Sequence, residues 1–346
     1  MKYYRPVPLT VEGNPIIDIL TNNLSESGWS PMSFKFWRIG DLIINRKNCE
    51  IIHLHWPEGF WRSDHVLTCY IKALFWFIPI FYIARLMGYK WVFSAHNVIP
   101  HYKVRSPSLE RLMRRFILKN FDLVIGLAFN TKTDLELAFG MSGKKYILAL
   151  HGVYDCLPKS ENRGEFRDKL GISENAKIIL SINSFGRENK GVDELINEWE
   201  KIEDKGDIHL LITGMKPLNY EELINDRHLH FIEGHISDDE FGNLLSSVDF
   251  MLLNYKNITT SGMYFMTIAY DLPIIAPNLP FFKLHSSDKT TLFFDYNESL
   301  GSQIVEIFNK INSGWKPDFE EFDKLKKIYD MEVSAKIISK AFNSLI

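Results

Sequence analysis

Nine short, largely apolar runs, most of them closing on Gly, His or Asn, alternate with helical patterns along this chain. IIHLH (51–55), WVFSAHN (91–97), DLVIGL (122–127) and YILALHG (146–152) lie in the first half. KIILSINSFG (177–186), IHLLITG (208–214), HLHFIEG (228–234), DFMLLN (249–254) and LPIIAPN (272–278) lie in the second. Their apolar character is continuous rather than alternating, and Ile, Leu and Val dominate. Strands of that kind are covered on both faces, as in parallel sheets. Between them, apolar residues recur at helical spacing over 15–27, 109–120, 192–202, 238–247 and 302–311. The alternation predicts an α/β fold of two doubly wound units.

A chain of 346 residues exceeds one ordinary core and suits two domains. The expected division is 1–152, 153–330 and a C-terminal segment, 331–346. The polar stretch 155–176, with Pro158, Gly164 and Gly171, is the expected boundary. A charged share of 24% beside a hydrophobic share of 46% excludes a disordered chain. Cys49, Cys69 and Cys156 form no CxxC pair, hence neither a disulfide framework nor a zinc pattern. Together with an N-terminus lacking an apolar h-region, they lead us to expect a reducing, cytoplasmic setting.

One segment raises the question of a membrane. Ile71–Met87 reads IKALFWFIPIFYIARLM, with an uncharged core only from Ala73 to Ala84. That core is too short to span about 30 Å of hydrocarbon. Two readings stay open: a helix buried beside a sheet, and a helix lying on a bilayer surface. Charge is also uneven. Residues 1–150 hold 19 Lys and Arg against 11 Asp and Glu, and the remainder holds 21 against 32. The basic half suits an anionic membrane surface or a pyrophosphate-linked acceptor, or is ordinary surface scatter. Arg111, Arg114, Arg115 and Lys119 have the spacing of one helical face.

Two segments could carry chemistry. SFGRENKG (184–191) follows a strand and precedes a helix. Gly186 permits a tight turn, and Arg187 and Lys190 put two cations beside a helix N-terminus, which suits a diphosphate. The competing reading is a solvated loop. In NITTSGMYFMTIAYDLPIIAPN (257–278), Thr259, Thr260, Ser261 and Gly262 precede an apolar helical stretch. These are good helix caps, and the same groups offer N–H and hydroxyl donors to an anion.

In their order and spacing, GRENKG, LLITG, FIEG, SVDFMLLN and LPIIAPN resemble the C-terminal donor domain of GT-B glycosyltransferases. IIHLHWPE and GYKWVFSAHNVIPH resemble the acceptor domain of the same enzymes. The HLHWP, AHNVIPH, HGVY and TSG pieces look most like bacterial exopolysaccharide transferases of the xanthan mannosyltransferase type. The resemblance covers nearly the whole chain. It implies two Rossmann-like domains facing a cleft, the acceptor domain first and the nucleotide-sugar domain second. It also implies a C-terminal helix packed back on the first domain. It matches Arg187 and Lys190, with Gly186 in their loop, to the donor-diphosphate cations, and Thr260, Ser261 and Gly262 to the helix-start loop. It matches the backbone around Gly234–Ile236, with His235, to the nucleobase edge, His96 to a histidine reaching the donor sugar, and His151 with Gly152 to a hinge. One departure stands out. Many relatives carry two glutamates eight apart, and those places here hold Ile258 and Met266.

The activity so implied is transfer of a hexose from a UDP- or GDP-sugar to a saccharide or lipid-linked oligosaccharide in polysaccharide biosynthesis. The nucleotide sugar is a co-substrate, no further cofactor is expected, and the protein is cytoplasmic or peripheral at the inner membrane face. Inverting transfer needs a general base for the acceptor hydroxyl. Candidates at strand ends of the first half are His53, His55, Glu58, Asp64, His96 and His101, with Glu58, His96 and His55 foremost. No metal is required, because the cations and helix start can neutralise the diphosphate. Asp238 and Asp239 read as first-turn acids of a helix. A degenerate sugar-nucleotide-binding protein is the alternative. A dehydrogenase is disfavoured by the lack of an early GxGxxG, and a nucleic-acid module by the lack of a reader motif.

Overall fold

The computed structural model describes the chain except for residues 12–13, 99–103, 141–144, 155–156, 160–162, 184–189, 215–225, 235, 296 and 299. The chain divides into two compact units. Unit 1 is Met1–Gly152 with Tyr329–Ile346, and unit 2 is Val153–Ile328. The return to unit 1 thus comes two residues before the expected 331. The polar stretch 155–176 falls within unit 2. It contains a helix, Arg163–Leu170, whose Arg167 is buried in unit 2.

Unit 1 is built on a six-stranded sheet: β1 (Lys2–Val7), β2 (Trp29–Pro31), β3 (Cys49–Leu54), β4 (Lys90–Ala95), β5 (Leu123–Gly126) and β6 (Tyr146–Leu148). Their order is β2-β1-β3-β4-β5-β6, and every pairing is parallel. The unbroken apolar runs have the cause anticipated from sequence. Trp91, Val92, Phe93, Ser94 and Ala95 of β4 are all buried, so both faces of that strand are covered. On one side lie Phe77, Phe81, Met113 and Ile117 from neighbouring helices. Another helix, Ile16–Glu26, buries Ile16, Ile17, Leu20, Thr21 and Leu24, a single stripe at helical spacing. The helix Met331–Asn343 packs beside it and inserts Phe342 between Tyr4, Trp29 and His53.

Residues 71–86 belong to a helix that starts earlier than the sequence suggested. It runs Val66–Leu86, 21 residues, with a mean hydropathy of 1.8 over an 18-residue stretch, and so is long and apolar enough to cross a membrane by length and composition. The sequence estimate stopped short because Lys72 and Arg85 bracket the uncharged core. Only one face of this helix is buried.

Unit 2 carries a second all-parallel sheet: β7 (Lys177–Asn183), β8 (Ile208–Gly214), β9 (Leu229–Glu233), β10 (Phe250–Leu252), β11 (Ile274–Pro277) and β12 (Thr291–Phe294). The order is β12-β11-β10-β7-β8-β9. Counted from β7, this is the Rossmann order, and its direction of winding reverses between β7 and β10. The helices Val192–Glu200 and Leu300–Asn312 cover one face, where Trp199 meets Phe308 with ring centroids 5.6 Å apart.

Candidate functional site

In an open parallel sheet, ligands bind beyond the carboxyl ends of the strands, at the point where the winding reverses. In unit 2 that point lies past β7 and β10. A small cavity sits there, lined by Ser181 and Ile182 of β7, Lys190, the segment Leu252–Tyr255 and Met263. Lys190 is held at 8% exposure. Its position follows from Gly191, which caps the helix Val192–Glu200 in a left-handed conformation at φ 60°. Asn254 Nδ2 donates to the Gly191 carbonyl at 2.8 Å. A Cβ on residue 191 would lie 2.6 Å from Asn254 Nδ2 and 2.7 Å from the Asn254 carbonyl. Gly191→Ala is therefore expected to cost about 2–4 kcal/mol, from the left-handed backbone plus overpacking. Urea unfolding measures it, and a loss below about 1 kcal/mol would mean that this turn relaxes freely.

Among the described residues, the buried Asn254 Oδ1 and Thr260 Oγ1 at this strand end have no hydrogen-bond partner. Buried polar atoms are ordinarily satisfied, and exceptions call for an explanation. Beside them, Ser261 caps the helix Gly262–Ala269, accepting from the Tyr264 amide at 3.2 Å. A Cβ on Gly262 would meet the Tyr154 ring at 3.1 Å, so the helix start is closely packed. Lys190 and the Thr260–Gly262 segment, 70 residues apart in sequence, thus flank one strand end, with Met263 lining the cavity beside Lys190. Ile236 lies half-buried at the carboxyl end of β9, before a helix capped reciprocally by Ser237 and Glu240. Asp238 and Asp239 are first-turn acids of that helix, as expected. Gly186, Arg187 and His235 lie outside the described residues, as does His101 of the acid–base candidates.

The acid–base candidates of unit 1 fall into separate groups. His55, His96 and His151, beyond the carboxyl ends of β3, β4 and β6, line one cavity, and the buried His53 adjoins His55 with ring centroids 4.2 Å apart. His53 Nε2 is 2.8 Å from Ser94 Oγ, and His55 Nδ1 is 3.0 Å from His96 Nε2. His96 also stacks on Trp56, with centroids 4.1 Å apart. The pair His55–His96 needs one donor and one acceptor, so its tautomers are linked. Burial disfavours the imidazolium throughout. It pushes His55 down to about 3 and His151 down to about 4. His53 and His96 also fall well below the usual range, through burial and then neighbouring imidazoles.

Glu58 occupies a short turn, Pro57–Phe60, and is buried against Arg114 at 3.7 Å. Arg114 was expected to share one helical face with Arg111, Arg115 and Lys119. A step of 100° per residue instead turns it inward, over Phe93. Asp64 is exposed. Asn254 and Ser94 were not anticipated. Ser94 lies near the end of β4 and Asn254 two residues beyond β10, but the role of each depends on a partner 41 or 63 residues away. Among the described residues, no group of three or more His, Cys, Asp or Glu is placed to hold a metal ion.

No family model matches the chain. It is 25% identical over 188 residues to an alpha-monoglucosyldiacylglycerol synthase of Streptococcus pneumoniae, covering 53% of this chain and 41% of that protein. It is 21% identical over 258 residues to a GDP-mannose:glycolipid 4-beta-D-mannosyltransferase of Xanthomonas campestris, covering 70% of this chain and 65% of that one. The matches therefore span under two thirds of either relative. Among solved structures it is similar to a sucrose-phosphate synthase from Thermosynechococcus elongatus, with a TM-score of 0.72 and 13% identity over 100% of this chain and 99% of that one. It is also similar to Anabaena Alr3699/HepE in complex with UDP, with a TM-score of 0.68 and 12% identity over 99% and 100%. The chain has the GT-B fold, and its sequence is similar to those of glycosyltransferases.

Proposed function

We propose that the chain is a glycosyltransferase that moves a hexose from a nucleotide-diphosphate sugar to a saccharide acceptor. The observation that carries this reading is the grouping of Lys190, Asn254 and Thr260–Gly262 at the β7/β10 reversal of a Rossmann-order sheet. A cation, a helix start and unsatisfied buried polar atoms suit a diphosphate, and Arg187 would add a second cation. With those groups the leaving diphosphate needs no metal, and the nucleotide sugar acts as co-substrate with no other cofactor. UDP bound to one structural neighbour, and GDP-mannose in the name of one relative, leave the base open between the two. Ile236 and His235 are the proposed nucleobase edge.

Unit 1 would supply the acceptor site. When His96 donates from Nε2 to His55, its Nδ1 carries the free lone pair, and a neutral imidazole of that kind can take the acceptor hydroxyl proton. Glu58 remains a second candidate, although its pairing with Arg114 commits one side of the carboxylate. The acceptor class we favour is a growing, lipid-linked oligosaccharide at the cytoplasmic membrane face, in polysaccharide assembly. Nucleic acid has no place in this scheme.

The test is a thermal-shift screen against UDP, GDP, ADP, CMP and NAD. A ligand at a hundred times its Kd adds about 2.7 kcal/mol of apparent stability. We expect a selective rise with UDP or GDP, abolished in Lys190→Ala, whose unliganded melting temperature stays near that of the parent. His96→Ala is expected to keep the rise yet lose tenfold or more in turnover, the low end of acid–base help. A rise with NAD alone overturns the reading. A second reading has its own support: Ile258 and the buried Met266 stand where many relatives carry glutamates. Tight nucleotide binding without release of free nucleotide from any sugar donor would favour a degenerate binding protein.

A further inference from the structure

We propose that one face of unit 1 is built to lie flat on an anionic bilayer, with the helix Val66–Leu86 sunk lengthwise into the headgroup boundary. Along this helix Leu67 is 72% exposed, Phe75 77% and Leu86 88%. Ile71, Leu74 and Tyr82, also exposed, extend the stripe between them at steps of three, four and seven residues. At 1.5 Å per residue the apolar stripe is about 30 Å long. Its opposite face is not free. Ala73, Phe77, Phe81 and Ala84 are buried, and Phe81 stacks on Phe121 with centroids 5.5 Å apart and planes within 5°. A transmembrane placement would strip those contacts, whereas a helix lying in the interface keeps them.

The surface is wider than one helix. The helix Ile39–Asn45 packs beside it and exposes Ile39, Ile43 and Ile44. On the other flank Tyr82 meets Phe116 of the helix Pro107–Asn120, and Leu112 is exposed one turn earlier. An exposed apolar area drawn from three helices marks an interaction site on a folded chain. Its rim is cationic. Arg111, Arg115 and Lys119 are exposed on the helix Pro107–Asn120, and Arg38 and Lys47 flank the helix Ile39–Asn45. An apolar centre within a basic rim complements acyl chains beneath anionic headgroups. A second copy docked through the same patch about a two-fold axis would bring the basic rims together.

Flotation of the full chain with phosphatidylcholine vesicles, with and without phosphatidylglycerol, tests this. Binding requires neither donor nor acceptor, so its failure leaves the transferase reading standing. We expect association with the anionic vesicles that is reversed by high salt. Arg111→Gln, Arg115→Gln and Lys119→Gln should each weaken it about fivefold. Phe75→Ser should weaken it roughly tenfold. These side chains are exposed, so parental melting temperatures should be retained. Association with neither vesicle, or equal association by all variants, overturns the proposal. So does binding that resists both salt and alkaline carbonate, which would mean a spanning helix. A dimer in solution that Phe75→Ser dissociates would assign the face to a second copy instead.

Discussion

Between pH 7 and pH 5 the protein is expected to lose on the order of 4–8 kcal/mol of folding stability. The source is the histidine cluster of unit 1. His53, His55, His96 and His151 are all buried and all have folded-state pKa values below the ordinary 6.5. The unfolded chain therefore takes up protons near 6.5 that the folded chain refuses until much lower pH. The stability these groups hold is complete above about pH 6.5 and drains away as pH falls toward 4 or 3, the values to which His151 and His55 are pushed. Within that window each histidine contributes roughly 1.4 kcal/mol per pH unit. His209 of unit 2, lowered to about 4 by burial and neighbouring imidazoles, adds to the same slope. Urea unfolding at the two pH values, followed by tryptophan fluorescence, measures the loss. His53→Gln should recover about 2 kcal/mol of it, since an amide can still meet Ser94 without titrating. A total loss under about 1 kcal/mol would contradict the burial of the cluster.

The second large effect lies in unit 2. Asp249→Ala is expected to cost about 3–5 kcal/mol, because it strands a buried cation. Arg167 is 1% exposed and reaches Asp249 Oδ2 at 2.6 Å, while its remaining donors satisfy the Ser173, Ala176 and Ser247 carbonyls. Asp249 also accepts from the Ile178 amide at 2.9 Å and from Arg163 at 2.7 Å. Burial pushes the carboxyl up, yet the Ile178 amide and the Arg163 guanidinium outweigh it and hold the group below its usual range. Asp249 precedes β10, at the amino-terminal end of the sheet and away from Lys190. Nucleotide affinity in the protein that remains folded should therefore be unchanged, in contrast to Lys190→Ala. A urea midpoint near the parent's would show that Arg167 finds water or another partner.

The parallel architecture was legible because its strands are covered on both faces and so read as apolar runs. β1 was not legible, although it lies inside the sheet between β2 and β3. Its sequence, KYYRPV, carries polar groups that only the tertiary fold satisfies. Arg5, for instance, is buried and donates to the Phe34 and Pro6 carbonyls at 2.8 Å each. At the candidate site, Lys190 was legible because a Gly- and cation-bearing loop after a strand is a local pattern. Asn254 was not, because holding the Gly191 carbonyl is a contact across 63 residues. Arg114 shows the limit of spacing arguments. Residues three and four apart share a side of a helix, but the edge of that side can be its buried flank, where Arg114 meets Glu58.

The helix Met331–Asn343 gives unit 1 a delayed birth. It supplies Phe342 to the packing around Tyr4, Trp29 and His53, and Asn343 accepts from Lys2 at 2.7 Å. The whole of unit 2 lies between Gly152 and Tyr329 in the sequence. Residues 329–346 are therefore made after the whole of unit 2, and unit 1 waits for them. Until then its histidine cluster has an open side, and a segment that follows unit 2 in the sequence seals the domain begun before it.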